Sequence, residues 1–365
     1  MRWMLTLILL PLFLIESGPR SLLDKYGSGS RPAGSENSRH TQTAGNESQS
    51  YGKAGEDLVE AFRSIGSVNS LLIEVGGEKR LEHYFGGMNE NRATNMKSAS
   101  KSILSLLVGI AIDREYLEST EQTINEFFPE YFESNPDSLK AAITIQDLLT
   151  MRSGLESTSL ENYGKWVVSR NWTIYTLNQP MVDVPGGRMI YSTGSSHLLS
   201  VILTRATGMT TREFAQRYLF NPLGIQVGGW DRDPQGYYMG GNNLALSPLA
   251  LLKIGRMVMD LGQFDGKRIL PADWITESLQ VYTHSSLNPY DYGYMWWRSN
   301  IGDYHVAFAW GYGGQYILMV PELDSVIAIT SDPVRNDGSR KYQRQIFDWL
   351  EDLVVPYLEN QAAIG

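Results

Sequence analysis

The chain has 365 residues, 42% of them hydrophobic and 19% charged, and it contains no cysteine. The apolar share excludes disorder of the whole chain, and the lack of cysteine excludes disulfides, a thiol nucleophile, cysteine-ligated zinc and iron–sulfur clusters. A formal charge of −9 argues against a general nucleic-acid binder, whose phosphate contacts need a basic face.

Taken in chain order, Arg2 precedes a 13-residue apolar run from Trp3 to Ile15. A membrane span needs about 20 residues, so the run predicts a signal peptide over residues 1–17 and an exported, periplasmic or secreted protein. Loose membrane anchoring through an uncleaved segment is the second outcome. Residues 18–52 are rich in Ser, Gly, Asn and Gln and are expected to form a flexible tether. The folded unit is then 53–365.

Glu56 to Ile65 has the pattern of an amphipathic helix. Ser70–Val75 and Arg80–Phe85, separated by Gly-Gly-Glu-Lys, predict a β-hairpin. Ser98 to Ile112 is apolar on nearly every side after its first turn, which predicts a helix buried all round. Helical patterns continue to about Gly262, with breaks at Pro185-Gly186-Gly187 and Gly240-Gly241. Strand patterns return at Tyr292–Arg298, Tyr304–Trp310, Gln315–Val320 and Ser325–Ser331, and Lys341 to Leu358 forms a final amphipathic helix. The expected fold is mixed α/β (α+β): an antiparallel sheet closed by both ends of the chain and flanked by helices, with an inserted all-helical subdomain.

Several common catalytic signatures are missing: no Gly-x-Ser-x-Gly, no His-Glu-x-x-His and no Walker loop. The five histidines are scattered without ligand spacing, so no metal site is expected; His197, in an apolar helical run, reads as a core or rim histidine. Ser-x-x-Lys occurs twice, at Ser50–Lys53 in the tether and at Ser98–Lys101 at the start of the buried helix. Residues three apart share a helix face. Burial lowers a lysine's pKa, which would let Lys101 take the Ser98 proton. Taken alone, the motif divides evenly between that pair and a capping serine beside a solvated lysine.

Two further stretches shift the balance. Pro185-Gly-Gly-Arg-Met-Ile-Tyr191-Ser-Thr193-Gly194 leads into a helix and can aim the Tyr191 hydroxyl into a cleft. Ala309-Trp310-Gly311-Tyr312-Gly313-Gly314-Gln315 lies between two strands, where its glycines allow close backbone approach to a ligand.

In order and spacing these elements resemble the penicillin-recognising serine hydrolases. The branch is the class C β-lactamase-like one, which includes D-aminopeptidases, DD-carboxypeptidases, esterases and 6-aminohexanoate-dimer hydrolases. The resemblance runs from about Val59 to Ser331 or beyond and is strengthened by Thr144–Leu155, Tyr191–Leu199 and Gly240–Pro248. It implies a β-lactamase/transpeptidase-like fold, with Ser98 as nucleophile, Lys101 as general base and Tyr191 as the tyrosine of a Tyr-x-Asn motif. No cofactor is implied.

The sequence departs from that pattern twice. Thr193 stands where the motif has Asn, and Ala309-Trp310-Gly311 stands where the family has Lys-Thr-Gly or His-x-Gly. On this register the second oxyanion N–H belongs to Tyr312, or to Gly313 after a one-residue shift. The expected substrate is a small ester or linear amide, since the cation that would meet a substrate carboxylate is replaced by the apolar face of Trp310. Arg188 is a conceivable replacement charge. A DD-peptidase or β-lactamase is the alternative within the family, and a non-catalytic binding module on the same fold is the alternative outside it.

Overall fold

A computed structural model describes residues 52–334 and 340–364. The expected signal peptide, nearly all of the expected tether and the segment proposed for membrane anchoring lie outside the described residues. No helix among the described residues is long and apolar enough to cross a membrane.

The first helix, α1 (Gly52–Ser64), buries Leu58, Val59 and Phe62. It leads into β1 (Val68–Val75) and β2 (Glu78–Tyr84). Gly76 and Gly77, both at positive φ (63° and 82°), alone form the turn between them. A two-residue turn with both centres left-handed matches the twist of a hairpin, so Glu78 and Lys79 join the strand instead of the four-residue loop expected from the sequence.

The other strands come from the C-terminal part: β3 (Thr283–His284), β4 (Asp291–Tyr292), β5 (Trp297–Ile301), β6 (Tyr304–Gly311), β7 (Gln315–Val320) and β8 (Ser325–Ser331). They form one eight-stranded antiparallel sheet in the order β2-β1-β8-β7-β6-β5-β4-β3. The N-terminal hairpin is stitched on by β1–β8 pairing, from Val68 opposite Ser331 to Val75 opposite Ser325.

The single strand expected over Tyr292–Arg298 is broken. Met295 takes a left-handed φ of 62°, and its N–H is shared between the Gly293 carbonyl at 2.9 Å and the Leu149 carbonyl at 3.1 Å instead of going to a neighbouring strand. Ser102 Oγ donates to the Met295 carbonyl at 2.6 Å, which ties the kink to the buried helix below.

Each face of the sheet is covered by helices. Helices α2 (Ser100–Asp113), α3 (Thr193–Thr207) and α4 (Pro248–Met259) are the long central ones. Gly255 of α4 lies so close to the sheet that a Cβ would come within 2.4 Å of Val326 and 2.9 Å of Ile317. On the opposite face α5 (Arg340–Trp349) sets Phe347 against Phe308 and Tyr316, and Trp349 meets Phe62 of α1 edge-on at 5.5 Å. A π-helical turn at Leu350–Val354 separates α5 from a last helix, α6 (Val355–Ile364), where one continuous helix to Leu358 was expected.

The inserted part, from Ile124 to Phe220, is built of short helices around α3. Residues 225–247 are mainly extended loop rather than helix, and Gly236, Gly240 and Gly241 punctuate them. That loop carries a two-residue strand, Ala245–Leu246, which pairs with Thr94–Asn95 just before Ser98.

Candidate active site

Ser98 lies in a 3-10 turn, Lys97–Ala99, that runs straight into α2. The nucleophile candidate is therefore on a tight turn ahead of the helix rather than in its first turn. The turn is strained: Lys97 has φ 50°, a left-handed conformation that a non-glycine residue keeps only when its surroundings dictate it. Several bonds dictate it here. Lys97 N–H donates to Asn95 Oδ1 at 2.8 Å, Ser100 Oγ donates to the Lys97 carbonyl at 2.7 Å, and Asn95 Nδ2 donates to Asn243 Oδ1 at 2.9 Å.

Lys101 follows one turn on and is 1% exposed. Its Nζ lies 3.3 Å from Ser98 Oγ, 3.3 Å from Thr193 Oγ1 and 2.8 Å from the Gly241 carbonyl. No carboxylate is among these partners, and burial alone pulls the lysine from its ordinary 10.5 down to about 7. A neutral amine has two N–H bonds and one lone pair. With Thr193 and Gly241 accepting the two hydrogens, the lone pair is left facing the Ser98 hydroxyl.

Tyr191 completes the group. Burial pushes its phenol up to about 12, outweighing the slight downward pull of Ser98 beside its hydroxyl, so it holds its proton at neutral pH. The Lys101 ammonium position lies 5.0 Å from the centre of its ring. The ring stacks on Trp297 with centroids 5.9 Å apart, and Trp310 meets Trp297 edge-on at 5.8 Å. Trp310 is thus half-buried within an aromatic wall that reaches Tyr191.

The glycine-rich turn comes alongside through Gly311, the last residue of β6. A Cβ on Gly311 would stand 2.1 Å from the Met96 carbonyl and 3.1 Å from Lys97 Cβ, so only glycine lets this strand end approach the Ser98 turn so closely. Tyr312 is 54% exposed and begins the turn, and Gly313 and Gly314 continue it with φ of 80° and 91°. Arg188 is exposed and pairs with Asp183 at 3.5 Å.

The sequence reading missed the supports of the lysine. Thr193 registered there as a departure from Asn, yet its hydroxyl accepts from Lys101 and is itself fixed by Ser159 Oγ at 2.9 Å. Gly241 acts through a backbone carbonyl, which no side-chain identity marks. Ser159 carried no signal. Among the described residues no group of three His, Asp or Glu is gathered as a metal ion would need.

An antiparallel sheet closed by both chain ends, an all-helical insertion, and a Ser-x-x-Lys turn facing a tyrosine define the β-lactamase/transpeptidase-like type of hydrolase fold. The family model described as Beta-lactamase matches residues 57–346, and the chain belongs to that family. It is 23% identical over 287 residues to the 6-aminohexanoate-dimer hydrolase of Paenarthrobacter ureafaciens, covering 71% of each chain. Among solved structures it is similar to a Bacillus anthracis protein assigned as a 6-aminohexanoate-dimer hydrolase. The TM-score there is 0.69 at 17% identity, over 83% of this chain and 82% of that one. It is also similar to EstCE1, described as a hydrolase with promiscuous acyltransferase activity, with a TM-score of 0.65 at 15% identity over 82% and 96% of the two chains. The protein is a hydrolase of this family.

Proposed function

We propose that the protein is a serine hydrolase that cleaves small esters or linear amides through an acyl-enzyme on Ser98. The observation that carries the reading is the Ser98–Lys101–Tyr191 cluster with a lysine that loses its proton near neutral pH. Lys101 Nζ takes the Ser98 proton as Oγ bonds to the carbonyl carbon. The oxyanion is held by the N–H groups of Ser98 and Tyr312, and each such donor is worth on the order of 3 kcal/mol. Tyr191, a phenol that keeps its proton, passes one to the leaving alkoxide or amine and is resupplied through Lys101. Water then attacks the ester with the same groups acting in reverse. In this scheme Gly311 and Gly313 shape the oxyanion turn, and no cofactor takes part.

The competent base is the neutral lysine. The expected pH profile of kcat/KM therefore has an acid limb that bends near pH 7 and falls about tenfold per pH unit below it. A profile flat from pH 5 to 8 would remove Lys101 from the base role.

The substrate class follows from Trp310, which supplies an apolar face at the position where a substrate carboxylate would need a cation. Activity on p-nitrophenyl esters and linear amides is expected to exceed activity on a chromogenic cephalosporin. Trp310→Ala is expected to lower kcat/KM for a hexanoyl ester about tenfold while leaving the acetyl ester nearly unchanged. Efficient cephalosporin hydrolysis without ester turnover would reverse the assignment toward the β-lactamases. On the apolar run of residues 3–15, we also place the enzyme outside the cytoplasm; secretion of a full-length fusion, measured against one lacking residues 1–17, tests that placement.

A further inference from the structure

His197 and Asp233 form a polar pair with no solvent exposure of either side chain, joined through Nε2 and Oδ2 at 3.0 Å. Trp166 and Trp172 meet the imidazole edge-on at 5.7 and 5.6 Å. A pair this dry needs a use for each polar atom, and each is occupied. The Gly240 N–H donates to His197 Nδ1 at 3.2 Å, which puts the imidazole proton on Nε2, facing the carboxylate. Asp233 Oδ1 accepts the N–H groups of Gln235 and Tyr237, both at 2.9 Å.

The chain of bonds continues toward Ser98. Gly240 is held at its other end too, since Ser196 Oγ donates to its carbonyl at 2.9 Å. The next carbonyl, that of Gly241, is the one that accepts from Lys101 at 2.8 Å. Gly241 sits at φ 80° and packs so tightly that a Cβ would lie 2.5 Å from Lys101 Cγ. Thr193, the lysine's other acceptor, precedes His197 by one turn on α3, so one helix holds both acceptors, one directly and one through the Gly240–Gly241 segment.

We propose that His197 and Asp233 are positioning residues for Lys101, holding the Gly240–Gly241 segment so that the Gly241 carbonyl orients the amine toward Ser98. The proposal rests on the reading of Lys101 as the base. The pair touches neither substrate nor nucleophile and acts only through the backbone.

Substitutions can separate the two ring nitrogens. In Asp233→Asn an amide cannot accept from Nε2–H and from the Gln235 and Tyr237 N–H groups with the same orientation. Either the imidazole changes tautomer and loses Gly240, or the loop loses its carboxylate anchor. In His197→Asn the side-chain oxygen takes the place of Nδ1 and keeps Gly240; in His197→Gln the amide nitrogen takes the place of Nε2 and keeps only Asp233. The test measures kcat and KM for a p-nitrophenyl ester together with Tm for all three, with Lys101→Met alongside. Asp233→Asn and His197→Gln are expected to lose on the order of 100-fold in kcat with little change in KM, and His197→Asn is expected to retain clearly more. Wild-type kcat in folded Asp233→Asn and His197→Gln would overturn the proposal, as would losses in the two His197 variants that rank by Tm rather than by retention of the Gly240 bond. If Asp233→Asn does not fold, the Asn and Gln variants at His197 decide between these outcomes. An active Lys101→Met would instead end the reading of the lysine as base, so the two failures are distinct.

Discussion

Lys101→Met is expected to abolish turnover and at the same time to make the protein more stable at pH 6 than at pH 9, relative to wild type. In the native state burial holds the lysine near 7, whereas in the unfolded chain it titrates near its ordinary 10.5. Below pH 7 both states are protonated, and the folded state bears the whole cost of an ammonium without a carboxylate partner. Between pH 7 and 10.5 the unfolded chain binds more protons, so wild-type stability rises with pH across that window. Above 10.5 both states are neutral and the dependence ends. The distance between the two titrations corresponds to a change on the order of 5 kcal/mol. Methionine has no such dependence. It does leave the Gly241 carbonyl without its amine partner, which costs about 1–3 kcal/mol at every pH. Urea unfolding of both proteins at pH 6, 8 and 9 reads the difference. A gap that does not change with pH would show that Lys101 is not held deprotonated by burial.

Ser98→Ala is expected to lower kcat/KM on a p-nitrophenyl ester on the order of 10⁵- to 10⁶-fold, the loss typical of removing a nucleophile that works as part of a unit. The substitution removes one half-buried oxygen from a turn that is held by Asn95, Asn243 and Ser100 rather than by the serine itself. Thermal unfolding is therefore expected to stay within a few degrees of wild type. Activity within tenfold of wild type would exclude Ser98 as nucleophile, whatever the neighbouring residues do.

The parts of the fold that were legible in the sequence are those with strong periodicity or punctuation. Ile103 to Ala111 is apolar at almost every position, and α2 is buried all round. The late strands β6, β7 and β8 fall within about a residue of their expected bounds, because each is a run of apolar residues ended by glycine, proline or aspartate. What failed to show were features set by distant contacts. The break at Met295 depends on the Leu149 carbonyl and on Ser102, far away in sequence. The short turn at Gly76–Gly77 was available in principle, since paired glycines favour a two-residue hairpin, but the charged Glu78 and Lys79 read as loop.

The candidate site divides in the same way. Ser98, Lys101 and Tyr191 were visible because their chemistry resides in side chains at recognisable spacings, and the structure brings the three together. Gly311 stood out as a glycine that lets backbone come close to a ligand, whereas the contact that requires it in the structure is with the Met96 carbonyl. The surroundings of Lys101 were not. They consist of a backbone carbonyl at Gly241, a threonine where an asparagine was expected, and a buried histidine whose sequence context marked it as core. His197 is indeed in the core, being 0% exposed.

A covalent ester on Ser98 is read most directly from the site of reaction with a fluorophosphonate. After incubation of the whole protein at pH 8 with the probe, intact-mass spectrometry is expected to show one added phosphonyl group, and peptide mapping to place it on Ser98. Labelling should be absent in Ser98→Ala and strongly slowed in Lys101→Met. Modification of another serine, or none at all while ester hydrolysis proceeds, would exclude Ser98 as the residue that carries the acyl group.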